Sequence, residues 1–200
     1  ATYALSRVEK TVYEAVDLVV QLAEPWLSNS LTEKVIMHSA AIHVYARILD
    51  DALDEALPIN RLLLLRGQAW YWEQIYALGG LYPALQHETT ALIQETILAV
   101  EKEEQYLTDN RRISLDFFIW AEKNHHLLLA PLLLSNNNKT YQKMRQTLRF
   151  FLVLLQAREE LAQRQLDRSA FPALLHFLMN HFEKNTALLQ LAEMGWPCLA

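Results

Sequence analysis

The chain of 200 residues has little of what interrupts helices or cross-links a fold. It contains 4 glycines, 6 prolines and a single cysteine, Cys198, whereas 52% of its residues are hydrophobic. One cysteine cannot form an internal disulfide or a thiolate metal site, so we expect a reducing compartment and take the cytoplasm as the expected location. The hydrophobic content is sufficient for one helical domain with a sizeable core, which argues against disorder and repeat arrays.

Long hydrophobic runs and an excess of positive charge are also missing. The longest apolar stretch, residues 127–134, is much shorter than the roughly 20 residues that span a bilayer. The net charge is -5, and the basic residues are scattered, so nothing favours a nucleic-acid partner. The sequence therefore predicts no integral membrane segment and no nucleic-acid binding.

Hydrophobic residues recur at intervals of three and four along the chain, and the strict alternation typical of strands is not seen. The sequence predicts an all-α fold in which residues 1–200 form a single-domain antiparallel bundle of about seven helices. The predicted helices cover residues 3–24, 60–80, 83–107, 114–134, 140–167 and 171–194, with a kink at Pro131 and a loop at 135–140. One further helix, the second along the chain, opens with a Ser30–Glu33 capping box and ends before Pro58.

Four carboxylates lie near the end of the second predicted helix, in the segment ARILDDALDEALP: Asp50, Asp51, Asp54 and Glu55. The C-terminus of a helix carries a partial negative charge, so each carboxylate there is unfavourable by about 0.3–1 kcal/mol. Asp50 and Asp51 precede Asp54 by four and three residues, so the three side chains share one face of the helix. Either Arg47 offsets a solvated acidic turn, or the carboxylates bind a hard divalent cation such as Mg²⁺.

The pentad DDALD, residues 50–54, is a DDxxD sequence, and LDDALDEA resembles the first aspartate-rich motif of the all-α trans-prenyltransferases, the class I isoprenoid synthases. The segment LQAREELAQ, residues 155–163, is similar to the second motif of that family, with Gln156 retained and EExxQ in place of DDxxD. Lys123, in AEKNHH, falls where the family has a lysine that contacts diphosphate. The resemblance covers residues 30–175.

The resemblance implies an isoprenoid-synthase fold and a Mg²⁺-dependent enzyme that acts on an allylic prenyl diphosphate. In that family two facing acidic helices hold Mg²⁺, which draws charge off the departing diphosphate. It also implies a homodimer, and short products because Tyr45 stands five residues before the first motif. The residues that it assigns are Asp50, Asp51, Asp54, Glu159 and Glu160 as metal ligands, Lys123 and Gln156 as catalytic residues, and Tyr45 in the substrate pocket.

Three alternatives stay open. Because Gln163 replaces the last carboxylate of the second motif, the chain is also consistent with a catalytically inactive protein of the isoprenoid-synthase fold that has a structural or binding role. Glu122 and His125 form the Glu-x-x-His sequence of di-iron helical bundles, although these need a second copy, so a di-iron protein is a minor alternative. A purely structural protein would dimerise through an apolar face such as residues 150–155.

Overall fold

The computed structural model describes residues 2–54, 61–108, 116–135 and 138–163, together with Ala173, His176, Phe177 and Asn180. This part of the chain is all-α, as the sequence predicts, and contains no strand. None of its helices is both long enough and apolar enough to cross a membrane. The α-helices are α1 (Thr2–Ala23), α2 (Thr32–Asp54), α3 (Arg61–Leu81), α4 (Gln86–Thr108), α5 (Phe118–Glu122), α6 (Leu129–Ser135) and α7 (Asn138–Gln163).

Two compact units divide the chain, and each is discontinuous in sequence. The first consists of Ala1–Thr90 and Leu129–Asn136, and the second of Ala91–Leu128 and Asn137–Ala200. The chain thus passes from one unit to the other within α4, returns at the start of α6 and leaves again after it. Helix α6 therefore belongs to the first unit although it follows α5, which belongs to the second.

The core of the first unit is formed by α1, α2 and α6. Helix α1 packs on α2, α2 packs on α3, and α6 contacts both α1 and α2. Apolar side chains at spacings of three and four put one face of α1 and α2 into this core, which is the pattern of an amphipathic helix. The buried side chains include Ala15, Val19 and Leu22 on α1, Val35 and Ile42 on α2, and Leu129, Leu132 and Leu133 on α6.

In the second unit α5 packs on α7, and the 3-10 turn His125–Leu128 also contacts α7. Ile119 and Trp120 of α5 are buried, as are Phe150, Leu152 and Val153 of α7. The apolar run at residues 150–155 thus contributes three side chains to the core of this unit. It is not the exposed dimerisation face that a purely structural protein would need.

The start of α2 differs from the predicted capping box. The helix begins at Thr32, one residue later than a Ser30 cap implies. Asn29 stabilises the turn that precedes the helix through two hydrogen bonds. Its Oδ1 accepts from the backbone N–H of Leu31 at 2.9 Å, and its carbonyl accepts from the N–H of Thr32 at 3.0 Å. The hydroxyl of Thr32 donates to the carbonyl of Trp26.

The prediction of one continuous helix over residues 114–134 is wrong. Helix α5 ends at Glu122, the 3-10 turn His125–Leu128 follows, and α6 is a separate helix. The side chain of Asn124 donates to the carbonyl of Trp120 at 3.1 Å, which satisfies a group that a longer helix would have paired internally. Pro131 does not kink a helix, because it lies in the first turn of α6, where a backbone N–H has no helical acceptor.

The other predicted boundaries differ in detail. The predicted loop at 135–140 is largely helical, since α6 runs to Ser135 and α7 begins at Asn138. Helix α7 is described to Gln163, and the rest of the predicted helix 140–167 lies outside the described residues. The same is true of the predicted helix 171–194, apart from the four described residues, which are helical.

Candidate functional site

The acidic motif predicted to bind metal lies at the end of α2, in the first unit. Asp50, Asp51 and Asp54 are all helical, and the side chains of the last two lie outside the described part of the chain. One carboxylate oxygen of Asp50 lies 3.0 Å from a guanidinium nitrogen of Arg47, and these side chains are 38% and 36% exposed. Such an exposed pair contributes at most about 1 kcal/mol to stability.

Tyr45, the predicted pocket residue, is buried between α2 and α3. Its hydroxyl donates to the carbonyl of Leu64 at 3.4 Å, and its ring centroid lies 5.1 Å from that of Tyr71. Burial raises the pKa of Tyr45, and burial together with Tyr45 raises the pKa of Tyr71 to about 12. Both phenols are therefore neutral near pH 7, and their rings pack together about one turn before Asp50.

The same contact explains a glycine in the middle of α3. A Cβ atom added to Gly67 would lie 2.6 Å from Cε2 and 3.1 Å from Cδ2 of Tyr45, and the first of these distances is shorter than Cβ atoms show in proteins. Glycine thus lets the backbone of α3 rest directly on the ring of Tyr45. On the same face of α3, Oε1 of Gln74 lies 2.8 Å from Nδ1 of His38 on α2.

His43 and Arg47 lie one helical turn apart on the approach to Asp50. Burial, with a smaller contribution from the charge of Arg47, lowers the pKa of His43 to about 4. His43 is therefore neutral at physiological pH. The positive charge of this stretch of α2 is carried by Arg47, which is the residue paired with Asp50.

The other predicted site residues belong to the second unit. The ammonium group of Lys123 donates to both carboxylate oxygens of Glu103, at 3.0 and 3.1 Å. A diphosphate oxygen bound by Lys123 would have to share this ammonium with Glu103. Gln156 is a buried residue of α7. Glu159 and Glu160 are helical residues of α7 whose side chains lie outside the described part.

A charged cluster that sequence analysis did not find lies in the second unit. The carboxylate of Glu95, on α4, accepts hydrogen bonds from two residues. Nδ1 of His125 donates at 2.7 Å, and a guanidinium nitrogen of Arg145, on α7, donates to Oε1 of Glu95 at 2.6 Å. The hydrogen bond from His125 and the charge and hydrogen bonds of Arg145 outweigh desolvation and lower the pKa of Glu95 to about 2. Because Glu95 is ionised, Nδ1 of His125 must carry the proton that is donated to it.

A second ion pair stands beside this one. The guanidinium of Arg149 donates to Glu122, and its central carbon lies 4.1 Å from the centroid of the Phe118 ring, in a cation-π contact. The two ion pairs border a cleft of about 470 Å³. Its lining residues are Glu95, Leu98, Lys102, Glu122, His125, Gln142, Arg145, Gln146 and Arg149.

This cleft contains the Glu122-x-x-His125 sequence on which the di-iron alternative depends. Glu122, His125 and Glu95 do line one cleft, but each carboxylate is bound by an arginine. Among the described residues, no three His, Cys, Asp or Glu side chains are arranged to hold a metal ion. The donor set therefore does not fit a di-iron centre.

The sequence holds one signal for this cluster. Arg145 and Arg149 are four residues apart on α7, and two like charges at that spacing repel each other on a helix surface. Such a pair indicates that carboxylates from other segments lie opposite. In the structure these are Glu95 and Glu122, which are 50 and 27 residues away in the chain.

Comparison with known proteins gives no relative for this chain. No family model, no curated protein and no solved structure matches it.

Proposed function

We propose that this protein is a divergent Mg²⁺-dependent isoprenoid synthase-like protein that binds an allylic prenyl diphosphate at the end of α2. The observation that carries the proposal is the carboxylate of Asp50, whose ion-pair partner among the described residues is the exposed guanidinium of Arg47, in the turn that also contains Asp51 and Asp54. The resemblance of LDDALDEA to the first aspartate-rich motif of the family supports the same site. The cytoplasm is the compartment that we propose.

The donors at this site suit the proposed cation. Asp50, Asp51 and Asp54 offer oxygen only, and Mg²⁺ prefers one or two carboxylates together with phosphate oxygens. When bound, Mg²⁺ would neutralise the diphosphate and stabilise it as a leaving group. Arg47, once displaced from Asp50, remains within one turn of the site and can donate hydrogen bonds to a diphosphate oxygen. We propose Tyr45, with Tyr71 packed beside it, as the residue of the substrate pocket against the allylic chain.

In the second unit we propose Glu159 and Glu160 as metal ligands and Gln156 and Lys123 as catalytic residues, a proposal supported by the resemblance of residues 155–163 to the second motif of the family. The pairing of Lys123 with Glu103 favours a second candidate function. In that candidate the chain binds the diphosphate and does not catalyse its departure, because the ammonium that would receive the departing charge is already neutralised.

Calorimetric titration of a non-hydrolysable allylic diphosphate tests the binding site. We expect binding that requires Mg²⁺, and we expect Asp50→Asn to weaken it at least about tenfold, because a neutral amide is a poor Mg²⁺ ligand. Asp17→Asn, a change at an exposed aspartate of α1, is the matched control and should bind as the wild type does. Mg²⁺-independent binding, or equal binding by Asp50→Asn, would contradict the proposed site.

Release of pyrophosphate separates the two candidate functions. With an allylic diphosphate, Mg²⁺, and water or added isopentenyl diphosphate to take up the allylic carbocation, the enzyme should release pyrophosphate, and Asp50→Asn should not. Tight Mg²⁺-dependent binding without any release would instead establish the binding protein. In that case Glu103→Gln, which frees the ammonium of Lys123, is the variant in which to look for restored turnover.

A further inference from the structure

The cleft that the two ion pairs of the second unit border is lined by α4 and α7. Its residues on each helix are spaced by three and four, so one side of each helix faces the cleft. The volume of about 470 Å³ lies within the range of roughly 300–1,000 Å³ for sites that bind small molecules. The helical lining residues are Glu95, Leu98 and Lys102 on α4 and Gln142, Arg145, Gln146 and Arg149 on α7.

Positive charge is in excess in this cleft. Apart from His125, its charged residues are three cations and two carboxylates, and each carboxylate is bound by one arginine. The charge that is left over is that of Lys102, which is exposed and forms no ion pair with the other residues that the structure describes. In a chain whose net charge is -5, a cleft with a positive excess concentrates anions.

Arg149 is held in place and keeps donors for such an anion. Its guanidinium group has five N–H donors, of which Glu122 engages one terminal nitrogen. The ring of Phe118 lies against the group, 4.1 Å from its central carbon. Nε of Arg149 is buried and has no hydrogen-bond partner within the described part of the chain. An oxyanion beside Arg149 would supply the acceptor that this nitrogen lacks.

His125 adds an acceptor to the same cleft. Its side chain is only 3% exposed, and Nδ1 donates its proton to Glu95. Nε2 is therefore the acceptor of the ring, and it is buried without a hydrogen-bond partner among residues 2–54, 61–108, 116–135 and 138–163. A hydroxyl group is the kind of ligand donor that would satisfy this nitrogen.

From this arrangement we infer that the cleft is a binding site for a small phosphate monoester that carries a hydroxyl group. The phosphate lies between Lys102 and Arg149, and the hydroxyl group binds His125. A phosphate monoester carries a charge of about -1.5 to -2 near pH 7 and three acceptor oxygens, which suits donors that come from two different helices. The inference is independent of the proposed diphosphate site, since it uses neither Mg²⁺ nor any residue of that site.

An NMR titration of the ¹⁵N-labelled full chain with glycerol 3-phosphate tests the site. The titration is made without Mg²⁺ and at an ionic strength held constant with sodium chloride, so that screening does not change. We expect saturable shifts in the signals of the lining residues, with a Kd of about 1 mM or lower. No saturable shift up to about 50 mM would overturn the inference.

Two lysine variants test the role of charge. Lys102→Gln should weaken the binding of glycerol 3-phosphate at least about fivefold, because it removes the cation that no carboxylate neutralises. The matched control is Lys34→Gln, a change at an exposed lysine of α2, which should bind as the wild type does. Equal binding by the two variants would overturn the inference. Lys102→Gln should leave the Mg²⁺-dependent binding of an allylic diphosphate unchanged, so the two proposals fail separately.

The chemistry of the ligand is tested with other anions and with one arginine variant. Succinate should bind more weakly than glycerol 3-phosphate, and equal or tighter binding of succinate would rule out a phosphate site. Arg149→Lys retains the charge but not the planar set of donors, and it should weaken glycerol 3-phosphate at least about threefold. Unchanged binding by Arg149→Lys would remove Arg149 from the site. Circular dichroism of each variant checks that the helices are intact.

Discussion

Replacing Glu95 with alanine is expected to lower the free energy of unfolding by about 2–3 kcal/mol. The carboxylate of Glu95 accepts hydrogen bonds from both His125 and Arg145. His125 is only 3% exposed, so its Nδ1–H would lose its acceptor in a position that water reaches poorly. We place the effect below that of a fully buried ion pair because Glu95 and Arg145 are about one-third exposed. Urea denaturation at pH 7 measures it.

The pH dependence of stability tests whether the charge of Glu95 causes this stabilisation. Its folded-state pKa, about 2, is below the ordinary value of 4.5. A carboxyl group with a depressed folded pKa stabilises the fold fully above its unfolded pKa, and this contribution is lost as the pH falls through the folded value. The difference in stability between wild type and Glu95→Gln should therefore be largest near pH 7 and shrink between pH 4.5 and 2.

A control on the same helix separates this effect from a general loss of charge. Glu101 is an exposed residue of α4, and Glu101→Gln should change the unfolding free energy by less than about 0.5 kcal/mol. If the stability difference for Glu95→Gln stayed constant down to pH 2, the ionised carboxylate would not be the source of the stabilisation.

Substituting alanine for Gly67 should destabilise the protein, although alanine is the better helix former. The new Cβ would meet the ring of Tyr45 at 2.6 Å, and overpacking of this kind costs about 1–3 kcal/mol. The gain in helix propensity is about 1 kcal/mol, so we expect a net loss of up to about 2 kcal/mol. Thermal or urea denaturation gives both its sign and its size.

Gly80→Ala is the matched control, because it lies on the same helix and a Cβ there meets nothing within 4 Å. It should stabilise the protein by about 0.5–1 kcal/mol. Opposite signs for the two glycines would locate the difference in the contact with Tyr45. Stabilisation by Gly67→Ala would mean that α3 does not rest on that ring.

The helices predicted most accurately from the sequence are those whose ends are set by residues of their own segment. The third predicted helix, 60–80, corresponds to Arg61–Leu81, and the fourth, 83–107, corresponds to the 3-10 turn at Pro83 followed by Gln86–Thr108. Proline and paired glycines act through the backbone of their own segment, so their effect does not depend on distant contacts. The position of Asp50 at the end of α2 was predicted for the same reason.

The break after Glu122 was not predictable in this way, because distant residues determine it. The backbone N–H of His126 donates to the hydroxyl of Thr96 at 3.2 Å, and His125 binds Glu95. These contacts join segments 30 residues apart, and they favour a 3-10 turn in a stretch whose apolar pattern alone fits a continuous helix. The charged cluster was missed for a related reason, since its carboxylates and arginines lie far apart in sequence.

The placement of α6 in the first unit has a consequence for synthesis of the chain. Leu129, Leu132 and Leu133 fill the core between α1 and α2, yet they are translated after α3, α4 and α5. A nascent chain that has emerged only to residue 90 contains α1 and α2 without the side chains that cover their apolar faces. The first unit therefore cannot complete its core cotranslationally from its own N-terminal segment, and its folding waits for residues that follow much of the second unit.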